Sequence, residues 1–180
     1  MRRRRRQAKR RRLLEWPILV AVALGVALVL RTFVVQSFWI PSGSMNDTLV
    51  RGDRVIVDKL SYDLHGVRRD DVVVFRRPAN VQISEDDLIK RVIGLPGDVL
   101  QARDGVVSVN GTAVSEPFVL GSCGGTANFG PVTVPRDDVF VMGDNRCDSY
   151  DSRYFGPISQ QLIVGHAVVL VWPPARWSGL

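Results

Sequence analysis

A long uncharged run near the amino terminus is the first pattern in the chain. Residues 16–30 contain no Asp, Glu, Lys or Arg. A helix over them would be about 22 Å long at 1.5 Å per residue, and extension through residue 35 crosses a bilayer core of roughly 30 Å if Arg31 reaches the lipid surface. No small-x-small cleavage site follows the run, as it would in a removable signal peptide. The pattern therefore predicts one transmembrane helix over residues 16–35.

The rest of the chain contains short apolar runs that are rich in β-branched and aromatic residues. Runs of this length, bounded by turn signals, are typical of strands rather than helices. Asp104-Gly105 and Asn110-Gly111 are turn signals at hairpin spacing. The pattern predicts a mainly β body with an antiparallel sheet, and further helix is expected only near residues 157–162. The predicted strands include residues 55–57, 72–75, 106–109, 139–142 and 168–171.

Positive charge is concentrated at the amino terminus. The chain has 180 residues and a net charge of +6, but nine of its 24 basic residues lie in positions 2–12. Residues 13–180 therefore hold 15 basic and 18 acidic side chains, a net charge of −3. A nucleic-acid-binding domain would spread basic residues over its folded surface, so that class is disfavoured. The basic tail by itself fits either a solvated interaction arm or the cytoplasmic flank of a membrane helix.

These patterns predict three segments. Residues 1–15 form a cytoplasmic basic tail, residues 16–35 the anchor in the cytoplasmic membrane, and residues 36–180 an extracytoplasmic body. The body includes a small insertion of strands and loops at about residues 99–138. The lipid bilayer is thus one expected partner.

The chain has two cysteines, Cys123 and Cys147, both in the predicted outer body. We predict that a disulfide joins them, because an oxidising compartment permits it and closing a loop of this size would add about 3 kcal/mol in the chain-entropy model. Two free buried thiols are the alternative.

Several kinds of catalytic site find no support in the sequence. The only histidines, His65 and His166, lie in no nucleophile or oxyanion motif, which disfavours a Ser-His-Asp triad. No zinc-binding spacing and no phosphate-binding loop occurs. We therefore expect no metal and no cofactor.

Lys90 is the most informative candidate for chemistry. The chain has only three lysines among its 24 basic residues, and Lys90 follows Leu88-Ile89 and precedes Arg91-Val92. Arginine stays protonated, whereas a lysine buried among apolar residues can lose its proton near neutral pH and act as a base. In a strand, Lys90 and Arg91 would point to opposite faces. A surface lysine in a half-exposed strand is the simpler alternative.

Four segments together resemble the conserved boxes of bacterial type I signal peptidases in order and spacing. They are Pro41-Ser42-Gly43-Ser44-Met45, Gly52 to Val57, Leu88 to Asp98 and Gly143 to Arg153. The resemblance covers residues 16–172 and implies the antiparallel β fold of Ser-Lys proteases.

The resemblance also implies roles for individual residues. Ser44 matches the nucleophile and Lys90 the general base. Ser42 matches the serine that completes the oxyanion hole with the N–H of Ser44, and Ser149 matches the serine that orients the lysine. The structural ion pairs would be Arg91 with Asp144 and Asp151 with Arg153. The shallow apolar pockets for substrate would involve Phe38, Ile40, Met45, Leu49 and Ile89.

Two positions depart from the family pattern. Asp47 stands where the box after the nucleophile usually has proline, which would loosen that loop. Cys147 replaces a polar residue in the last box. Neither change removes a group with a catalytic role.

The expected function is that of a membrane-anchored Ser-Lys endopeptidase that removes signal peptides from exported preproteins. Self-cleaving repressors resemble the same dyad fold, but they would need a soluble DNA-binding module in place of the anchor. A catalytically silent anchored adaptor, with a β domain for protein contacts, is the alternative from another class.

Overall fold

The computed structural model describes residues 16–28, 34–119 and 125–180. The predicted basic tail, residues 29–33 of the predicted anchor, and Cys123 lie outside the described residues. The chain divides into two units, residues 1–36 and residues 37–180. In the first unit, α1 occupies residues 16–28. Within the described ranges, no helix combines the length and apolar character needed to cross a membrane.

The second unit is built on a large antiparallel sheet, which confirms the predicted fold of the body. Spatially the strands run β1-β2-β11-β3-β4-β9-β10, and β12 pairs with β11. The pairings along the path β2-β11-β3-β4-β9-β10 are all antiparallel. The strands are β1 (Val35–Trp39), β2 (Arg54–Asp58), β3 (Val72–Arg76), β4 (Asp87–Gly94), β9 (Asp138–Met142), β10 (Ile158–Ser159), β11 (Ile163–Trp172) and β12 (Ser178–Gly179).

A smaller four-stranded sheet lies within the predicted insertion at residues 99–138. It consists of β5 (Val99–Arg103), β6 (Val106–Val109), β7 (Thr112–Ala113) and β8 (Phe129–Thr133), in the order β7-β6-β5-β8. Asp104-Gly105 and Asn110-Gly111 form its hairpin turns, as predicted. All four turn residues have positive φ, between 51° and 84°, which is what a tight type I′ turn requires.

The helical segments of the body are short. The α-helices are α2 (Ser61–Leu64) and α3 (Ser152–Phe155), and the 3-10 helices are Gln160–Leu162 and Pro174–Arg176. The segment Gln160–Leu162 falls where helix was expected, whereas α2, α3 and Pro174–Arg176 were not predicted. Asp151 begins α3, since its side chain accepts a hydrogen bond from Arg153 N.

Strand β3 shows why the apolar runs are continuous rather than alternating. Val72 and Val74 pack into one hydrophobic cluster, with Ile89. Val73 and Phe75 pack into another, with Val92. Because both faces of the central strands are covered, neither face needs polar residues.

Candidate active site

Lys90 and Ser44 lie in direct contact. Lys90 Nζ donates a hydrogen bond of 2.6 Å to Ser44 Oγ and another of 3.0 Å to the carbonyl of Ile89. Both residues are buried, with 3% of Lys90 and 7% of Ser44 exposed. An amine at this distance can accept the hydroxyl proton once the amine is neutral.

The sheet register explains how Lys90 reaches this position. Lys90 pairs with Val73 of β3 on one side. On the other side, the pairing with β9 ends at Arg91 opposite Met142. Lys90 therefore lies just past the end of β9, beside the β9–α3 loop (residues 143–151). Ser44 comes from a different loop (residues 41–49), which we call the serine loop.

Burial is the main influence on the ionisation of Lys90. It lowers the pKa of the amine from 10.5 to about 8, because the charged form loses its hydration. The carboxylates of Asp151 and Asp144 act in the opposite direction and keep the pKa from falling further. A substantial fraction of the amine is therefore neutral at mildly alkaline pH.

Asn145 fixes the serine loop from the side of the β9–α3 loop. Its Nδ2 donates to the carbonyl of Gly43 at 3.0 Å, and its backbone N donates to the carbonyl of Ser44 at 3.1 Å. Sequence reasoning assigned Asn145 no role, although it directly follows Asp144 in a segment already singled out. Ser42 Oγ lies 3.3 Å from Ser44 Oγ, so the two hydroxyls are adjacent.

Two buried ion pairs lie beside the site, in the pairings that the family resemblance implies. Arg91 binds Asp144 through two hydrogen bonds of 2.9 and 2.7 Å, and Thr48 of the serine loop donates to the same carboxylate at 2.6 Å. Arg153 binds Asp151 through two hydrogen bonds of 2.8 Å. Asp144 thus connects β4 with the serine loop.

Ser149 lies next to these groups, but no hydrogen bond joins it to Lys90. Its hydroxyl is buried and has no hydrogen-bond partner among the described residues. Its neighbour is Gly143, where an added Cβ would lie 2.6 Å from Ser149 Cβ. The orienting role of Ser149 stays a prediction.

A cavity of about 290 Å³ opens at the serine. Among the five predicted pocket residues, only Ile89 lines it. Phe38, Ile40, Met45 and Leu49 instead pack in the hydrophobic cluster beneath the serine loop, so their contact with substrate stays a prediction. The cavity lining also includes residues that the sequence did not single out: Arg51, Ile83, Glu85, Asp87, Asp148 and Tyr150.

The remaining candidates lie apart from the cavity. His65 bonds the carbonyl of Gly66, and His166 lies 3.8 Å from Asp71. Within the described parts of the chain, no group of three or more His, Cys, Asp or Glu side chains is arranged to hold a metal ion. Cys147 is disulfide-bonded, while its pairing with Cys123, which lies outside the described residues, stays a prediction.

Comparison with known proteins gives consistent matches along most of the chain. A family model described as signal peptidase, peptidase S26, matches residues 13–172. The "Probable signal peptidase I-1" of Synechocystis sp. is 43% identical over 166 residues, or 90% of this chain and 84% of that protein. The signal peptidase I of Bacillus caldolyticus is 40% identical over 92% of this chain and 93% of that protein. A crystal structure of a signal peptidase I from Enterococcus faecalis aligns with a TM-score of 0.48 at 34% identity, covering 57% of this chain and 97% of that one.

Proposed function

Because the chain belongs to the signal peptidase family, peptidase S26, we propose that it removes N-terminal signal peptides from exported preproteins by a Ser-Lys mechanism. The observation that carries this proposal is the buried 2.6 Å contact between Lys90 Nζ and Ser44 Oγ. No metal or cofactor enters the proposed reaction.

In the first half of the reaction, neutral Lys90 takes the hydroxyl proton as Ser44 Oγ attacks the carbonyl carbon of the scissile peptide bond. The negative charge that develops on the carbonyl oxygen is stabilised by the Ser44 N–H and the Ser42 hydroxyl. As the C–N bond breaks, the Lys90 ammonium gives its proton to the leaving amine. The signal peptide is then held as an ester on Ser44.

In the second half, neutral Lys90 takes a proton from water, and the resulting hydroxide attacks the ester. The C–Oγ bond breaks, and the Lys90 ammonium returns its proton to Ser44 Oγ. The signal peptide leaves with a new carboxyl group, and the enzyme is restored. We propose that small side chains are preferred at the first and third positions before the cut, since shallow pockets reject bulk.

The same proposal includes anchoring by residues 16–35. Its support is the uncharged run over residues 16–30, the preceding arginine block, and the helical conformation of residues 16–28. The body would then face the side of the membrane on which exported preproteins emerge.

Substitution of the dyad tests the mechanism. Ser44→Ala should abolish cleavage, and Lys90→Arg should be as inactive as Lys90→Ala, because a guanidinium does not release its proton at working pH. Ser42→Ala should retain partial activity, since the loss of one oxyanion donor typically costs about 10²–10³ in rate. Purified full-length chain in detergent is assayed on a preprotein.

Lys59→Arg is the matched control, because Lys59 lies outside the cavity that contains Ser44, and it should retain normal activity. Near-normal activity of Lys90→Arg would refute the Ser-Lys mechanism. Cleavage that survives Ser44→Ala would refute the assignment of the nucleophile, whereas a wild-type chain without any cleavage would favour the adaptor alternative.

A further inference from the structure

A short stretch between β7 and β8 of the small sheet contacts the residues that surround the dyad. This covering segment (residues 115–119) follows β7 and contributes Glu116 and Phe118. Glu116 accepts two hydrogen bonds from Arg146, at 2.7 and 2.8 Å. The Arg146 side chain is fully buried, whereas 12% of the Glu116 side chain is exposed.

Arg146 lies in the β9–α3 loop and also binds the backbone of that loop. Its Nε donates to the carbonyl of Gly143 at 3.0 Å, and its Nη1 also donates to Thr126 Oγ1 at 2.9 Å. Gly143 in turn packs against the carbonyl of Ser44 and against Ser149. The Arg146 side chain therefore joins the covering segment and Thr126 to Gly143, whose backbone lies against Ser44 and Ser149.

Phe118, in the same segment, makes a second contact with the residues around the dyad. Its ring lies 4.1 Å from the Arg91 guanidinium, measured from Cζ to the ring centroid. Arg91 is the strand neighbour of Lys90 and the partner of Asp144. The covering segment therefore contacts the guanidinium groups of two arginines, one beside the base and one in the β9–α3 loop.

We propose that Glu116 is a positioning residue for the dyad, acting through Arg146. Without its carboxylate, Arg146 becomes an uncompensated buried cation, and such a cation moves to find other partners or water. The carbonyl of Gly143 then loses its fixed donor, and the contact of Gly143 with Ser44 changes. A displacement of about 1 Å at reacting atoms can cost on the order of 10² in rate.

The inference rests on the proposed function and is tested on the full-length chain in detergent. The probe is an internally quenched peptide with alanine at the first and third positions before the scissile bond. Glu116→Gln keeps the shape and one acceptor of the side chain but removes its charge. We expect kcat to fall about 10- to 100-fold, with KM changed less than about twofold, because no residue of the covering segment lines the cavity.

Asp98→Asn is the matched control. Asp98 pairs with Arg69 at 2.9 Å, and its side chain is also 12% exposed, but it contacts neither Arg91 nor the β9–α3 loop in any hydrogen bond of the described residues. Asp98→Asn should lower the melting temperature while leaving kcat unchanged. Phe118→Leu, which keeps an apolar contact but loses the ring over Arg91, should lower kcat in the same direction as Glu116→Gln.

Each result separates the inference from the proposed function. If the wild-type chain shows no Ser44-dependent cleavage, the proposed function itself is refuted. An active wild-type chain whose kcat is the same in Glu116→Gln would overturn only the positioning role, as would equal losses in Glu116→Gln and Asp98→Asn. If Glu116→Gln fails to fold, Glu116→Asp decides, because it keeps the charge but shortens the side chain that binds Arg146, and an unchanged kcat overturns the proposal.

Discussion

Lys90 combines two properties that a surface lysine lacks, burial and contact with a hydroxyl. Its pKa falls to about 8 because burial disfavours the ammonium, despite the opposing charges of Asp151 and Asp144. The working form in the proposed mechanism is the neutral amine, so acid inactivates the enzyme by protonation. Burial and the neighbouring carboxylates together therefore set how acidic the medium can become before activity is lost.

This leads to a prediction for pH dependence. We expect kcat/KM to rise tenfold per pH unit well below pH 8, where the neutral fraction is small, and to level off above it. Asp144→Asn should move the midpoint to lower pH, since the carboxylate of Asp144 raises the pKa of Lys90. The measurement is a pH-rate profile on the quenched peptide. Asp98→Asn is the control, and the midpoint of its profile should not change. A midpoint near pH 6 that disappears on substitution of a histidine would contradict the assignment of Lys90 as base.

At the scale of elements, the β9–α3 loop depends on a residue without a side chain. A Cβ added to Gly143 would overlap the carbonyl oxygen of Ser44 and the hydroxyl of Ser149. Gly143 N also donates to Asp151 at 3.0 Å, so the backbone there has little freedom to move away. The close approach of the two loops thus requires glycine.

We therefore predict that Gly143→Ala lowers kcat by about 10² and destabilises the fold by about 1–3 kcal/mol. Gly66→Ala is the control, because an added Cβ at Gly66 meets no atom within 4 Å, and it should change neither quantity appreciably. Steady-state kinetics and thermal unfolding measure the two effects. Normal kcat in Gly143→Ala would show that the loops tolerate separation.

Local sequence signals were enough to predict some elements but not others. The turns at Asp104-Gly105 and Asn110-Gly111 were predicted because positive φ is a property of the residues themselves. A strand at Lys90 was assumed rather than predicted, and the opposite faces of Lys90 and Arg91 followed from that assumption. The contact of Lys90 with Ser44 came only from resemblance, since 46 positions separate the two residues. The contacts of Asn145 with the serine loop and of Arg146 with Glu116 were missed because the partners are distant in sequence. Local patterns carry no information on such contacts.

At the scale of the whole molecule, the amino-terminal segment and the body present different chemistry. The body has its own core and sheets within residues 37–180. The described helix 16–28 instead exposes apolar side chains, among them Trp16, Leu19 and Leu24 with 60–72% exposure. A helix with apolar residues on all sides is typical of an element that is surrounded by lipid.

We predict that residues 16–35 anchor the chain with the body outside. Protease added to intact spheroplasts should digest residues beyond 36 and spare a tag placed before residue 1, because arginine-rich flanks stay in the cytoplasm. Lysed spheroplasts, in which both sides become accessible, serve as the control. Protection of the body in intact spheroplasts would reverse the topology and separate it from exported substrates.

The protonation of the Lys90 amine should also make the activity depend on temperature. Binding of a proton by an alkylamine releases heat, so the affinity of Lys90 for its proton weakens on warming, whereas a carboxylate is nearly indifferent. With a pKa of about 8, a modest decrease brings the group closer to the pH of a neutral medium. In the proposed mechanism, warming at constant pH therefore enlarges the fraction of enzyme that has a neutral Lys90 amine, in addition to accelerating each turnover. The proposed mechanism thus predicts a steeper thermal response in neutral medium than in alkaline medium, where the amine is already deprotonated.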